Sequence, residues 1–318
     1  YVSSAANGIR GTLAVGGTTK ERLPIKAMKE GMAEYAVYPR ALSATERMRV
    51  ESAMALRHGI TLNHSYFNSK GLVVRNYYRL KAYNHRVAGI IGDSASCLYQ
   101  ATGQSGEGEA VVRVSAKAIG EGTSYIWGDN AKRLAFAADR GNGKWMRRRW
   151  AATTTGTPVA GMTLTLDTRS IRQLEPLGEG ESYYLAVDNS GTGKFPVGQL
   201  RYYKARMGQA DSVTFMGISA GVGESVFTFR AAKDFFSTID VEQPRCSTGA
   251  KGALRVLLTG GTPPYRLTAS VDGKAVCVHA TADSIVTVPS LTQGKYVIVA
   301  YDNGGKSLCS EVTLHNAD

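Results

Sequence analysis

Along most of this chain apolar and polar positions alternate with a period of two, in short runs interrupted by Gly, Pro, Asn and Asp. The run Gly294-Lys295-Tyr296-Val297-Ile298-Val299-Ala300-Tyr301 puts Tyr296, Ile298 and Ala300 on one face of a strand and Val297, Val299 and Tyr301 on the other. Asp302-Asn303-Gly304-Gly305 closes that strand, and Gly260-Gly261-Thr262-Pro263-Pro264-Tyr265 reads as a turn that delivers Pro-Pro-Tyr onto another. Strands are also predicted over residues 11–17 and 32–38, the second with Ala33, Tyr35 and Val37 on one face and stopped by Pro39. One segment departs from the two-residue period. Ser43-Ala44-Thr45-Glu46 is a capping box, in which the Ser hydroxyl accepts from the Glu amide while the carboxylate reaches back. Val50, Ala53, Met54 and Arg57 follow at helical spacing and Gly59 suits the position just past a helix end, so a helix is predicted over residues 43–58. The pattern as a whole predicts a mostly β protein of tandem antiparallel β-sandwiches with that one short capped helix.

The chain has 318 residues, enough for two or three cores. Its 36 Gly and 16 Tyr fit short strands and tight turns. It holds no apolar run long enough to span a membrane. It opens on Tyr1 without a basic-then-apolar leader, and we expect it to be a piece of a longer polypeptide. The net charge of +12 is uneven. Residues 1–62 carry a net +4, residues 63–232 carry 21 basic and 13 acidic side chains for a net +8, and residues 233–318 balance to zero. The middle of the chain is therefore the part suited to polyanions, although no nucleic-acid-binding motif accompanies the charge and no specific nucleic-acid partner is expected.

Three stretches carry family resemblances. Ala33-Glu34-Tyr35-Ala36-Val37-Tyr38-Pro39-Arg40-Ala41-Leu42-Ser43-x-x-Glu46-Arg47, continuing to Leu56-Arg57-His58-Gly59-Ile60-Thr61-Leu62, resembles the C-terminal end of a laminin-G/concanavalin-A-like domain. Asn84-His85-Arg86-Val87-Ala88-Gly89-Ile90-Ile91-Gly92-Asp93, with Leu98-Tyr99-Gln100 and Tyr125-Ile126-Trp127-Gly128-Asp129-Asn130 after it, resembles an uncharacterised β-domain of large Bacteroidetes surface proteins that habitually follows such a tail. The Gly260–Tyr265 turn and the Gly294-x-Tyr296-x-Ile298-x-Ala300-x-Asp302 strand are similar to the repeats of the gliding adhesin SprB, which implies an immunoglobulin-like fold at the C-terminus. Three units follow: residues 1–62 as the tail of a lectin-like sandwich plus the helix, 63–232 as a β-sandwich, and 233–318 as an Ig-like SprB-type repeat.

Few segments carry chemistry. Lys144-Trp145-Met146-Arg147-Arg148-Arg149-Trp150 is the densest basic and aromatic cluster. Read as one continuous strand, it puts Trp145, Arg147 and Arg149 on one face, where Arg stacked on Trp could meet an anionic sugar or phosphate. The competing reading makes Trp150 core and the arginines a cover over aromatic surface with their stems. Asp188-Asn189-Ser190-Gly191-Thr192-Gly193 has oxygen-bearing side chains at alternating positions, so Asp188 and Ser190 are candidate ligands for a structural calcium, although the same residues also make ordinary turns. No other cofactor is suggested. Gly217-Ile218-Ser219-Ala220-Gly221 matches the spacing of a nucleophile elbow, but a second alternating run follows where the elbow needs a helix, so Ser219 is expected in a hairpin loop. The five histidines lie far apart. Cys97, Cys246, Cys277 and Cys309 include no Cys-x-x-Cys pair. Their bias toward the C-terminal unit predicts a disulfide there, Cys246 to Cys309 with Cys277 to Cys309 competing, and an oxidising compartment.

These readings converge on a non-catalytic module of a secreted or surface-anchored protein, an adhesin or stalk that presents or spaces binding domains. Glycans or other surface proteins are its expected partners and the cell exterior its expected location. A carbohydrate-binding module, or an accessory region of a secreted hydrolase, is the alternative.

Overall fold

A computed structural model describes residues 34, 36, 38–138, 141–169, 171, 176–207 and 211–317. The strand expected over residues 11–17, and most of that over 32–38, lie outside the described residues.

The remaining chain is mostly antiparallel β-structure with the expected helix. The first sandwich faces a large sheet against a small one. The large sheet runs, in spatial order, Leu200–Lys204, Glu181–Asp188, Gly223–Lys233, Trp150–Thr155, Ser124–Asp129, His85–Asp93 and Leu98–Gln100, with the short hairpin Phe136–Ala138/Lys144–Met146 joined to Gly223–Lys233. The small sheet runs Arg206–Met207, Ser212–Ala220, Val159–Asp167, Val112–Ser115 and Thr102–Gln104. Ile90, Trp127, Trp150, Leu185, Phe227 and Phe229 of the large sheet meet Val114, Leu164, Leu166 and Phe215 of the small one. Trp150 stacks on Phe227 at 5.5 Å between ring centroids, and each such buried aromatic removes some 150–250 Å² from water.

The other face of the large sheet is also covered. Its middle strands are buried at almost every position, as in Ser124–Asp129 and the last seven residues of His85–Asp93. The helix Ala44–His58 lies on that face, with Leu56 packed among Val87, Ile91, Leu98 and Ile126. The helix is built as its sequence dictates. The Ser43 side chain and Glu46 close a capping box, and Gly59 ends it in the left-handed region at φ 63°. Its buried stripe is Ser52, Ala53, Ala55 and Leu56, displaced from the Val50/Ala53/Met54/Arg57 expectation. The Ser52 hydroxyl donates to the Met48 carbonyl at 2.6 Å and accepts the Phe67 amide at 2.9 Å, tying the helix to the hairpin Tyr66–Phe67/Val73–Arg75. From this hairpin Arg75, 1% exposed, reaches onto the sheet and donates to the Ala151, Ile126 and Tyr83 carbonyls at 2.9, 3.2 and 2.7 Å. Burial pulls its pKa down to about 10. The expected boundary at residue 62 therefore cuts through one packing unit, because the helix assigned to a separate lectin-like tail buries its apolar stripe on the sheet of the unit that follows.

The C-terminal unit has seven strands in the Ig arrangement. Phe235–Glu242, Gly252–Gly260 and Ile285–Leu291 form one sheet, and Lys274–Thr281, Tyr265–Val271, Gly294–Tyr301 and Ser307–Leu314 the other. Tyr296, Ile298 and Ala300 enter its core as the alternation requires. The Tyr296 hydroxyl donates to the Thr292 carbonyl at 3.0 Å and accepts the Thr292 amide at 3.2 Å, which makes a tyrosine corner. The two turns singled out in the sequence meet in space. Asp302 accepts the Thr262 amide at 2.8 Å and the Lys306 amide at 2.6 Å. Gly260, at φ 74°, passes so close to Asp234 that a Cβ would stand 1.8 Å from its carbonyl oxygen.

Two outcomes follow. Leu56→Ala should cost about 2–5 kcal/mol of the first sandwich's stability. The three Trp residues, 127, 145 and 150, all lie in that sandwich, so urea titration followed by Trp fluorescence reads the loss, and an unshifted midpoint would detach the helix from this core. For Asp302, burial pushes the carboxyl up, but the Thr262, Lys306 and Gly304 amides outweigh it and hold the folded pKa below the usual carboxylate value. Its contribution is therefore present above the unfolded pKa near ~4 and disappears as pH falls through the lower folded value. Asp302→Asn should destabilise the C-terminal unit at neutral pH and converge on wild type in acid, as measured by hydrogen exchange of strand Gly294–Tyr301.

Candidate functional site

The basic and aromatic cluster is not one strand. Lys144–Met146 and Trp150–Thr155 both pair with Gly223–Lys233, Trp145 opposite Arg230 and Trp150 opposite Phe227. Four residues, 146–149, on one side thus face two, 228 and 229, on the other, and the surplus bulges outward. The Thr228 hydroxyl holds the bulge by contacting the Arg148 carbonyl at 2.7 Å and the Met146 carbonyl at 3.1 Å.

The bulge separates the residues expected on one face. Trp145 is 5% exposed and packs edge-on against Phe195 at 5.3 Å and beside Tyr202 at 6.2 Å. A ring so buried offers no stacking platform, so the sugar-platform role expected of Trp145 is withdrawn; Trp150 is core as well. Arg147 is exposed, and its amide donates to the Ala135 carbonyl at 2.9 Å. Arg149 is half-buried, with its guanidinium 5.1 Å from the Phe195 ring and donating to the Gly193 carbonyl at 2.7 Å. Arg148 turns inward and is pinned by Glu109 at 2.7 Å and the Lys132 carbonyl at 2.6 Å. The hydrogen bond from Arg148 holds the Glu109 carboxyl below its ordinary range. Beside it Arg86 forks onto Asp129 at 2.7 and 2.6 Å.

Asp188 is fully buried at the root of the loop that Arg149 grips. One carboxylate oxygen accepts the Ser190 amide at 2.8 Å and the Ser190 hydroxyl at 2.5 Å. The other accepts the Phe195 amide at 3.1 Å and the Thr192 hydroxyl at 3.3 Å. The expected calcium ligands thus face N–H and O–H donors of their own loop, which a cation would have to displace. Their fit to calcium is poor, and their role here is to shape the turn.

Three segments now stand side by side. Residues 130–135 run along 147–149 through the Asn130 amide to the Arg149 carbonyl (3.1 Å), and 189–195 join at Gly193. They bring Lys132, Arg133, Arg147, Arg149 and Lys194 to one end of the first sandwich. The sequence signalled Arg147 and Arg149 but not their neighbours, which only the bulge and the loop contacts assemble.

A second feature is a depression of about 380 Å³ on the small sheet, lined by Gln104, Arg113, Thr165, Asp167, Asp211 and Ser212 among others. Arg169 bridges its two aspartates, 3.3 Å from Asp167 and 3.8 Å from Asp211. It is open and polar, and its charges are mutually compensated. Ser219 lies on strand Ser212–Ala220 rather than in a loop. Residues 221–222 then carry the chain across to the large sheet, not into a hairpin and not into a helix.

The predicted disulfide is not formed, and all four cysteines are free. Cys309 sits on strand Ser307–Leu314 with its side chain exposed, while Cys246 lies in the connection between Phe235–Glu242 and Gly252–Gly260. That connection is tied to the far end of the same strand, where Gly252 abuts Leu314, about 17 Å along at ~3.4 Å per residue. Cys277 and Cys309 occupy opposite edge strands of a four-stranded sheet, about 14 Å apart at ~4.8 Å per strand. Both spans exceed the ~4.4–6.8 Å between Cα atoms that a disulfide bridges.

A family model described as Domain of unknown function (DUF8202) matches residues 46–221. No curated protein matches the chain. Among solved structures, the glycoside hydrolase domain of Endo-D from Streptococcus pneumoniae R6 aligns at 11% identity over 67% of this chain and 36% of that one, with a TM-score of 0.20. The chain thus spans about a third of that structure's length, and at this TM-score the similarity is too low to bear on fold or activity.

Thr228→Val, nearly isosteric, should release the bulge by leaving the Arg148 and Met146 carbonyls without their donor. The expected loss is about 1–3 kcal/mol, with faster hydrogen exchange confined to residues 144–150; uniform or absent change would contradict the hydroxyl's role.

Proposed function

The chain belongs to the family described as Domain of unknown function (DUF8202), and on that footing we propose that it is a non-catalytic strut of a secreted or cell-surface protein, presenting or spacing binding domains. One observation carries this reading: the two sandwiches are clamped together. Strand Gly223–Lys233 passes into Phe235–Glu242 through the single residue Asp234. Asp234 accepts from Lys204 at 2.7 Å, and that bond holds its carboxyl below the ordinary range. Across the seam, Arg230 of the first sandwich donates to the Ser237 carbonyl and the Thr238 hydroxyl at 2.8 and 2.7 Å. Asn142 accepts from the Ser237 and Ser310 hydroxyls at 2.8 and 2.9 Å and donates to the Cys309 carbonyl at 2.7 Å. A junction of this kind transmits force and orientation, which suits a spacer better than a hinge. The Ig topology and tyrosine corner of the last unit favour the SprB-type resemblance and, with it, an extracellular setting. Among the described residues no helix is long and apolar enough to cross a membrane. A carbohydrate-binding role is the second reading, favoured by the cationic loops beside the strand bulge at residues 146–149.

The test is mechanical and chemical together. Small-angle scattering of the wild type should fit one rigid two-lobed particle. Arg230→Met with Asn142→Ala should broaden the interdomain distances and open the chain to protease near Asp234. Wild-type scattering that already requires a flexible joint would defeat the strut reading. So would turnover of chromogenic glycosides or esters that is lost in Asp167→Ala or Ser219→Ala.

A further inference from the structure

A strand at the rim of a sheet leaves one row of backbone N–H and C=O groups unpaired, and folded proteins shorten, charge, kink or cover such edges to keep other chains off them. Most edges of this molecule are treated in that way. Tyr66–Phe67, Val73–Arg75, Leu98–Gln100, Thr102–Gln104, Phe136–Ala138 and Arg206–Met207 are three residues long or shorter. Leu200–Lys204 carries Arg201 and Lys204. Phe235–Glu242 and Ser307–Leu314 face the seam between the two sandwiches, where Asn142 donates to the Ser237 and Cys309 carbonyls. Ile285–Leu291 contains Pro289 and is kinked at Ser290, which has φ 63°. Among the described residues, Lys274–Thr281 is the exception. It is eight residues long and pairs on one side only, with Tyr265–Val271. From residue 275 to residue 282 the chain holds no Lys, Arg, Asp, Glu or Pro. Val276 and Val278 are 48% and 57% exposed. The strand's one irregularity, a bulge near Val276, leaves residues 277–281 in unbroken register with 265–269.

We propose that Lys274–Thr281 is a dimerisation edge, which pairs antiparallel with the same strand of a second copy about a two-fold axis near Val278 and joins two four-stranded sheets into one. Charge selects this occupant. Lys274 opens the strand, Asp283 follows its end, and both are exposed. The strand between them spans about 24 Å at ~3.4 Å per residue, so the two cannot meet within one copy. Antiparallel self-pairing sets Lys274 of each copy beside Asp283 of the other, at both ends of the new seam. Near the axis Val278 meets Val278 or Ala280 of the second strand, on the face of the sheet turned away from the core. The other ionisable groups nearby stay out of the seam. Asp272 sits at the tip of the preceding turn with φ 49°, Arg266 stands one strand further in, opposite Ala280, and His279 is opposite the core residue Leu267. Ile285–Leu291, the next strand of the chain, has no charged side chain. Long-range repulsion is small as well. Residues 233–318 balance to zero. Ser307–Leu314, at the opposite edge of the same sheet, is the strand held by Asn142 of the first sandwich, so the two net +8 sandwiches stay at the outer ends of the pair. The pairing involves only the C-terminal unit and does not depend on how rigid the junction is.

Sedimentation velocity of the full chain from about 1 μM to about 1 mM, the span in which small reversible interfaces dissociate, should show a monomer passing into a dimer. Val278→Lys puts like charges together at the axis and should weaken the dimer by about tenfold or more. Lys274→Glu and Asp283→Lys should each weaken it by about threefold to tenfold. Both changes in one chain should restore it, because the pair re-forms with its signs exchanged. All three side chains are exposed, so Tm at a dilution where the chain is monomeric should stay at the wild-type value. A chain that is monomeric at every concentration overturns the proposal, and is also the result expected if another stretch of the same chain occupies this edge. A dimer indifferent to Val278→Lys, a charge exchange that fails to restore association, or amide exchange of residues 274–281 that is the same in dilute and concentrated samples would each overturn it too.

Discussion

The guanidinium of Arg230 is the interaction on which the arrangement of this molecule turns. It is fully buried, and a buried cation must be repaid by hydrogen bonds or by an opposing field. Here the compensation comes from two sources. The Ser237 carbonyl and the Tyr202 and Thr238 hydroxyls accept from it. The rings of Phe236, Trp145 and Tyr202 surround it at 4.4, 5.1 and 5.7 Å, each face attracting the cation by up to about 2 kcal/mol where water is excluded. Three of these groups, Phe236, Ser237 and Thr238, belong to the first strand of the Ig-like unit, whereas Trp145 and Tyr202 belong to the first sandwich. The charge can be satisfied only when both units are in place, so folding and docking are coupled.

The same demand explains the bulge at residues 146–149. Trp145 must face Arg230 on the outer side of the large sheet, while Trp150 must face Phe227 between the sheets. Positions 145 and 150 differ by an odd number, so simple alternation already assigns them opposite faces. What alternation cannot do is match five steps on one strand to three on its neighbour. The surplus leaves the sheet, carrying Arg147 and Arg149 to the surface while Arg148 folds back to Glu109. A requirement of the core is thus what places cations on the rim. Close approach elsewhere has similar rigidity. Gly103 lies so near strand His85–Asp93 that a Cβ would stand 2.2 Å from the Gly89 carbonyl oxygen, which brings the edge of the small sheet against the large one.

What was legible in the chain was what is local. The capping box of Ser43 and Glu46, the left-handed Gly59, and the alternation of Tyr296, Ile298 and Ala300 each depend on residues within a turn or a strand, and each is in the structure as read. What was illegible depends on partners distant in sequence. The helix was assigned to the wrong unit because its docking face is completed by Ile91, Leu98 and Ile126, more than 30 residues downstream. The Trp145 platform failed because Thr228 and Arg230, some 80 residues away, decide where the strand breaks. The disulfide failed for the same kind of reason, since cysteine count and spacing carry no information on which edge of a sheet each residue occupies. The candidate surface was half visible. Its arginines stood out, but Lys132, Arg133 and Lys194 join them only through loop contacts that no periodicity encodes.

This division bears on how such a module could acquire a ligand without loss of stability. The interior and the junction are fixed by dense, mutually dependent contacts, in which a change at Arg230 is felt in two units at once. The rim loops are held by Arg149 on Gly193, Arg148 on Glu109 and the Lys132 carbonyl, Arg86 on Asp129, and the donors of Ser190, Thr192 and Phe195 on Asp188. The side chains of Lys132, Arg133 and Arg147 are exposed, so their charges can change with small effect on folding, usually within about 0.5 kcal/mol. Surface chemistry is therefore separable from structural chemistry in this chain. A rigid frame whose exposed rim can change in sequence is a physical basis for one fold carrying many surface chemistries.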